Sequence, residues 1–329
     1  MKYHYYIYCD GILGVKTNVK KFRWVYGSVA PSSSYEKYEE CKVKFDIRIL
    51  PEKELSQVVS CDKRFQSYSW NEGNRTLSYR RTFFNFFKIG YNMKIEENVV
   101  SFDIGENYFR FIKNRVMNLH GTYYLLSDIA NIVLLSNGLL TLYASVAHNT
   151  SANSGVVCFG APNTGKTLTA VKLSETRGYS LIGEDVVIFD GNKVYSCPWT
   201  ASYRGGTTKT ADSSGSGKRK NMVSQMNFAQ SCELTDVAIL SLGKEKIEQS
   251  KECVYKMSSI INGYLFNYYS TPIVKVLGLF DDQFCVPWQE KADEMLKDLF
   301  DRSNCFLLQY ENASMFADEL HHRLLEKKI

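Results

Sequence analysis

The chain has no uninterrupted apolar run long enough to cross a bilayer. Its most apolar long stretch, from Ala130 to Ala147, is broken by Asn131 and by Ser136-Asn137-Gly138, whereas a membrane helix needs about 20 predominantly apolar residues. That stretch reads as a buried helix, a turn and then a strand. The opening MKYHYYIYCDG has neither an apolar core nor a small-residue cleavage site, which argues against a secretory leader. None of the nine cysteines forms a C-x-x-C pair, and their odd number and scatter favour reduced structural thiols over a disulfide framework or a zinc site. The pair His321-His322 has no Cys or carboxylate partner at metal spacing. A dense basic stripe is also missing. The formal net charge of +5 is compatible with an acidic peptide or a phosphate-bearing ligand and does not indicate nucleic acid. These absences lead us to expect a cytoplasmic globular protein with no nucleic-acid partner and no membrane partner.

What is present points to two regions, consistent with a length of 329 residues. The 22 tyrosines and 19 phenylalanines crowd the first third of the chain, which favours β-structure there. Strands are expected over 3–8, 43–49, 76–79, 99–104 and 108–112, with loops over 28–36 and 71–75 and a turn over 88–94. Residues 1–124 therefore read as a smaller β-rich amino-terminal domain, a candidate module for docking an acceptor. From residue 125 the pattern becomes α/β. A helix over 125–135 has Ser127 as its candidate cap and ends at Asn137-Gly138, and a strand follows over 139–147. Further on, 181–182 and 186–189 read as strand on either side of an acidic pair. A tight turn at 190–192 then leads back through 194–196. A strand is expected over 236–242, helices over 251–269 and 291–301, and a last strand and helix over 306–310 and 313–328. Residues 204–221 read as a long Gly/Ser/Thr-rich basic loop, of the kind that serves as a lid or substrate-binding segment or is simply solvated surface.

The most specific pattern lies within 125–329. Gly160-Ala161-Pro162-Asn163-Thr164-Gly165-Lys166-Thr167 fits G-x-x-x-x-G-K-[ST]. It follows the apolar run Val156–Phe159 and precedes Leu168, Ala170, Val171 and Leu173 at helical spacing. A strand that feeds a glycine-rich turn into a helix turns several backbone N–H groups toward one phosphate, and the helix terminus adds partial positive charge. In such a loop Lys166 reaches the β- and γ-phosphates and the Thr167 hydroxyl ligates Mg²⁺. The chain is therefore expected to bind a nucleoside triphosphate, ATP or another, together with Mg²⁺.

Two features outside the loop narrow the reading. Gly178-Tyr179-Ser180-Leu181-Ile182-Gly183-Glu184-Asp185 sets two carboxylates side by side downstream, and His148 ends an apolar strand upstream. This combination resembles the HPr kinase/phosphorylase family and its stand-alone relatives that phosphorylate serine. The resemblance covers roughly residues 125–329. It implies an α/β kinase core with a phosphate loop on a mixed, mostly β-sheet core flanked by helices. It also implies Asp185 as the catalytic carboxylate and a metal ligand, Lys166 as the phosphate-stabilising lysine, Thr167 as a metal-ligating hydroxyl and His148 as an active-site histidine. Glu184, where the family usually has Asp, would hold the metal or raise the proton affinity of Asp185. Arg204 is a candidate clamp on the transferring phosphate. The segment Ser202-Tyr203-Arg204-Gly205 lacks the carboxylate that the bifunctional enzyme carries there, so transfer in one direction is expected.

The expected activity is ATP-dependent transfer of the γ-phosphate to a hydroxyl, that of a serine in a peptide or protein. A kinase for a small metabolite or sugar, and a nucleotide-binding regulatory protein without turnover, remain open beside it, as does a homo-oligomeric state.

Overall fold

Alternate burial of aromatic and β-branched residues builds the strands of the amino-terminal region. Val43, Phe45 and Ile47 on one strand, and Val100, Phe102 and Ile104 on its neighbour, have under 1% of their surface exposed. The computed structural model describes residues 2–20, 22, 32–55, 61–111, 122–184, 186–196, 227–248, 250–265 and 271–326. The chain divides into two units: Met1–Asn137 with Tyr268–Trp288, and Gly138–Asn267 with Gln289–Ile329. The dividing point lies at 137/138, where a boundary at 124/125 was expected, and 268–288 returns to the first unit.

The first unit carries a nine-stranded mixed sheet among the described residues, in the order β3-β1-β2-β4-β9-β8-β7-β6-β5. The strands are β1 (His4–Tyr8), β2 (Leu13–Thr17), β3 (Ser32–Ser33), β4 (Val43–Leu50), β5 (Lys63–Phe65), β6 (Tyr68–Asn71), β7 (Thr76–Phe83), β8 (Phe87–Glu96) and β9 (Val99–Gly105). β2, β4 and β9 run parallel, with Phe45 opposite Val100. β9 back to β5 is an antiparallel meander. Its helices are α1 (Tyr35–Glu39), α2 (Glu52–Leu55), α3 (Glu106–Phe111), α4 (Thr122–Ser136) and, from the returning segment, α7 (Pro272–Phe280) with a 3₁₀ turn at Asp282–Phe284. α4 packs on α7, and that contact draws residues 125–137 into this unit.

Four local expectations are corrected here. Residues 88–94 lie in the middle of β8 rather than in a turn. Gly90 is required there because a Cβ would stand 2.5 Å from the Tyr79 carbonyl oxygen, and the reversal comes at Glu97, with φ 50°. Over its described residues, 108–111, the expected strand at 108–112 is instead helix α3, whose first turn is held by the Glu52 carboxylate accepting the Asn107 N–H at 3.1 Å. Ser127 is buried inside α4 and is not its cap. The expected loop at 28–36 is described only from Ser32 on, where β3 and then α1 begin, with Ser34 as the cap of α1.

The second unit holds a mixed sheet of ten strands among the described residues. They are β10 (Leu140–Leu142), β11 (Ser145–Asn149), β12 (Ser154–Phe159), β13 (Ser180–Gly183), β14 (Val187–Phe189), β15 (Lys193–Ser196), β16 (Asn227–Phe228), β17 (Ser231–Leu242), β18 (Lys246–Glu248) and β19 (Asn304–Tyr310). The expected strand 139–147 is thus two strands, broken at Tyr143-Ala144. At the centre β12, β17 and β19 run parallel. Parallel strands covered on both faces read as continuous apolar runs, as Val156–Phe159 and Val237–Leu240 do. On one face, α5 (Lys166–Arg177) and α9 (Ala313–Glu326) bury Ala170, Leu173, Phe316 and Leu320 against Cys158, Ala238 and Leu308. On the other, α6 (Lys251–Leu265) and α8 (Trp288–Arg302) meet the sheet at Phe300, whose ring lies 6.0 Å from that of Phe159 and 5.8 Å from that of Tyr255.

No helix among the described residues is long and apolar enough to cross a membrane. The eight described cysteines are all free thiols.

Candidate functional site

β12 ends at Phe159, and the chain turns through residues 160–165 before α5 begins at Lys166. The strand, turn and helix expected from the sequence are therefore present. Asn163 and Gly165 adopt φ of 66° and 91°, the left-handed region that tight turns between a strand and a helix use. Gly160 admits no side chain, since a Cβ would stand 2.4 Å from Thr164 Oγ1 and 2.9 Å from the Leu240 carbonyl oxygen. Ala161, Pro162 and Asn163 are exposed, as is Leu168 on the first turn of α5. The turn is tied by Thr164, whose hydroxyl donates to the Ala161 carbonyl at 2.8 Å.

Lys166 is buried, and its ammonium curls back over the loop. It donates to the carbonyls of Gly160 at 2.8 Å and Ala161 at 3.1 Å. It also lies 4.2 Å from the centre of the Tyr143 ring, a cation–π contact. Beneath the loop, burial pushes the Cys158 thiol up to about 12, opposed by the Lys166 charge. That cysteine is a packing residue and not a nucleophile.

Thr167 donates its hydroxyl proton to the Glu184 carbonyl at 2.9 Å, and Ser145 donates to the same oxygen. The start of α5 is thereby fastened to the end of β13. Glu184, 3% exposed, sits in the bend between β13 and β14. These two strands do not continue one another, because β13 pairs with β11 and β16 while β14 pairs with β10 and β15. Asp185 and Arg204, and the whole 204–221 loop, lie outside the described residues.

His148 is not brought to the loop. It pairs with Gly155 near the far end of β12, and Gly160 lies five residue steps further along the chain, roughly 16 Å at the ordinary rise. It is nearly buried there, and its Nε2 has no hydrogen-bond partner. The residues that do reach the loop from that side are Tyr143 and Ser145, neither of which was expected. Their only sequence signal is that they flank the start of the strand preceding β12.

The donor set fits a triphosphate with a divalent cation. The turn is exposed at residues 161–163, the Lys166 ammonium lies against its carbonyls, and a threonine hydroxyl that gives its proton to a carbonyl keeps lone pairs for a metal. Lys166 would hold phosphate oxygens, and the Thr167 hydroxyl would hold the cation.

No protein-family model matches the chain, and no curated protein matches it. Among solved structures, the HPr(Ser) kinase/phosphatase from Coxiella burnetii is similar over 33% of this chain and 77% of its own, with 17% identity and a TM-score of 0.23. A likeness of that size establishes neither family nor activity. The chain stands as a mixed α/β protein with two large mixed sheets and a glycine-bounded strand–turn–helix in the second.

Proposed function

We propose that this protein is a Mg²⁺- and ATP-dependent phosphotransferase that moves the γ-phosphate in one direction to a hydroxyl, that of a serine in a peptide or protein. The observation that carries the reading is the bond from Thr167 to the Glu184 carbonyl. It joins the turn that would cradle phosphate to the segment that bears the two carboxylates. In the proposed reaction the serine oxygen forms a bond to the γ-phosphorus while the bond to the β-bridging oxygen breaks. Asp185 takes the serine proton, and ADP is the leaving group. Lys166 neutralises charge on the β- and γ-phosphates, which is most of what phosphoryl transfer asks of a protein.

The test incubates the full chain with ATP, Mg²⁺ and a library of serine-containing peptides, and reads added phosphate by mass spectrometry. Asp185→Asn should slow transfer by about 10²- to 10⁴-fold, the usual worth of a general base, while leaving ATP affinity near that of the wild type. Transfer at the wild-type rate would remove Asp185 from its role. Absence of ATP binding in the wild type would remove the whole reading. Phosphate labelling of a small polyol instead of any peptide would move the acceptor to a metabolite.

A further inference from the structure

The first unit contains a cavity of about 920 Å³ that the nucleotide chemistry does not use. Its sheet side is formed by Phe65, Tyr68, Tyr79 and Tyr91 on β5 to β8, and its other side by α7 and the residues that follow it as far as Trp288. The tyrosines lie in one row, with Tyr79 stacked on Tyr91 at 5.3 Å and tilted against Tyr68 at 5.0 Å between ring centres. Tyr108, 5.4 Å from Tyr91, closes it edge-on.

The polar groups of this cavity include one unpaired donor and two cations. Tyr91, fully buried, shares a hydroxyl–hydroxyl hydrogen bond with Tyr68. Trp288 is 7% exposed, and its Nε1–H has no acceptor, although buried donors are nearly always paired. Arg81 and Lys275 are the exposed cations of the lining, and Arg81 also bonds the Tyr79 hydroxyl. Among the described residues no Asp or Glu lines the cavity.

We propose that this cavity binds a small amphipathic anion, an apolar or aromatic body ending in a carboxylate. The aromatic walls take the body, and Arg81 and Lys275 take the charge. The Trp288 Nε1–H finds in the ligand the acceptor that the protein does not supply. The volume falls in the range of sites that enclose one small molecule, about 300–1,000 Å³. This site is separate from the phosphate-loop reading and stands if that reading fails.

The test uses the full chain with 1-anilinonaphthalene-8-sulfonate as a fluorescent occupant, displaced by decanoate, decanol or decylamine. Decanoate should displace it at a concentration at least tenfold lower than decanol, with decylamine weakest. The R81Q/K275Q double variant should lose that preference while binding decanol as before. If the double variant is misfolded by circular dichroism, K275Q alone, on an exposed position, should reduce the preference at least threefold. Location is read from Cys285, which lines the cavity with an exposed thiol. Saturating decanoate should slow its alkylation by iodoacetamide at least fivefold and leave that of Cys253, in the other unit, unchanged. Equal displacement by decanoate and decanol, or an unprotected Cys285 with decanoate bound, overturns the proposal.

Discussion

Asp128 ties the stability of the first unit to pH. It lies inside α4 with 4% of its surface exposed, and burial pushes its carboxyl from 3.8 up to about 7, while Thr271 at the start of α7 pulls the other way. Below about pH 4 both the folded and unfolded chains hold the proton, and the residue costs nothing. As pH rises from about 4 to about 7 the unfolded chain releases its proton and the folded chain does not, so stability falls through that window. Above it the full cost remains. About three units at about 1.4 kcal/mol each give an upper limit of roughly 4 kcal/mol. For a unit of this size each kcal/mol moves the melting temperature by about 2–4 °C, so the limit is roughly 8–16 °C. Asp128→Asn cannot ionise. Its melting temperature relative to wild type should therefore be level near pH 4, rise through pH 5 and 6, and reach a plateau above pH 7. Calorimetric scans of both proteins across pH 4–8 read this difference directly, and other titrating groups cancel. A constant difference across the range refutes the reasoning.

Three further outcomes are expected. Gly90→Ala should cost about 1–3 kcal/mol of stability by urea unfolding, the usual penalty of overpacking, because the new Cβ meets the Tyr79 carbonyl in the adjacent strand; an unchanged midpoint would contradict the packing described. Gly160→Ala should weaken ATP binding at least tenfold by isothermal titration, since its Cβ collides with Thr164 Oγ1 and the Leu240 carbonyl, and wild-type affinity would show that the turn does not hold phosphate. Burial raises the thiols of Cys158 and Cys232 to about 12, so at pH 8 iodoacetamide should modify Cys285 and spare both until the chain is denatured, as mass spectrometry of tryptic peptides would reveal.

Much of the second unit was legible residue by residue. Val156–Phe159, Gly160 to Thr167 and the helical spacing after Lys166 announce a strand, a turn and a helix from local preferences alone, and the structure has all three. The Asp190-Gly191-Asn192 hairpin, with Gly191 at φ 95°, is legible for the same reason. The errors fell where a distant partner decides. Gly90 looks like a chain breaker until the Tyr79 carbonyl is placed against it. The aromatic run 108–112 looks like a strand until Glu52, from another element, takes an N–H in the first turn of a helix. Helix α7 went unforeseen, because its apolar residues gain meaning only against the sheet and α4 of the first unit.

The candidate site divides in the same way. The phosphate-loop motif, its two glycines and the lysine and threonine at its end are determined by sequence, since each depends on backbone conformation within a few residues. Which other groups stand around the loop was decided by the tertiary structure. Antiparallel register between β11 and β12 carries His148 away from Gly160 and brings Ser145 opposite Cys158. It leaves the Tyr143 ring against Lys166. Side-chain chemistry is written in the chain, but the pairing of strands sets which side chains meet, because one register places every residue of a strand at once.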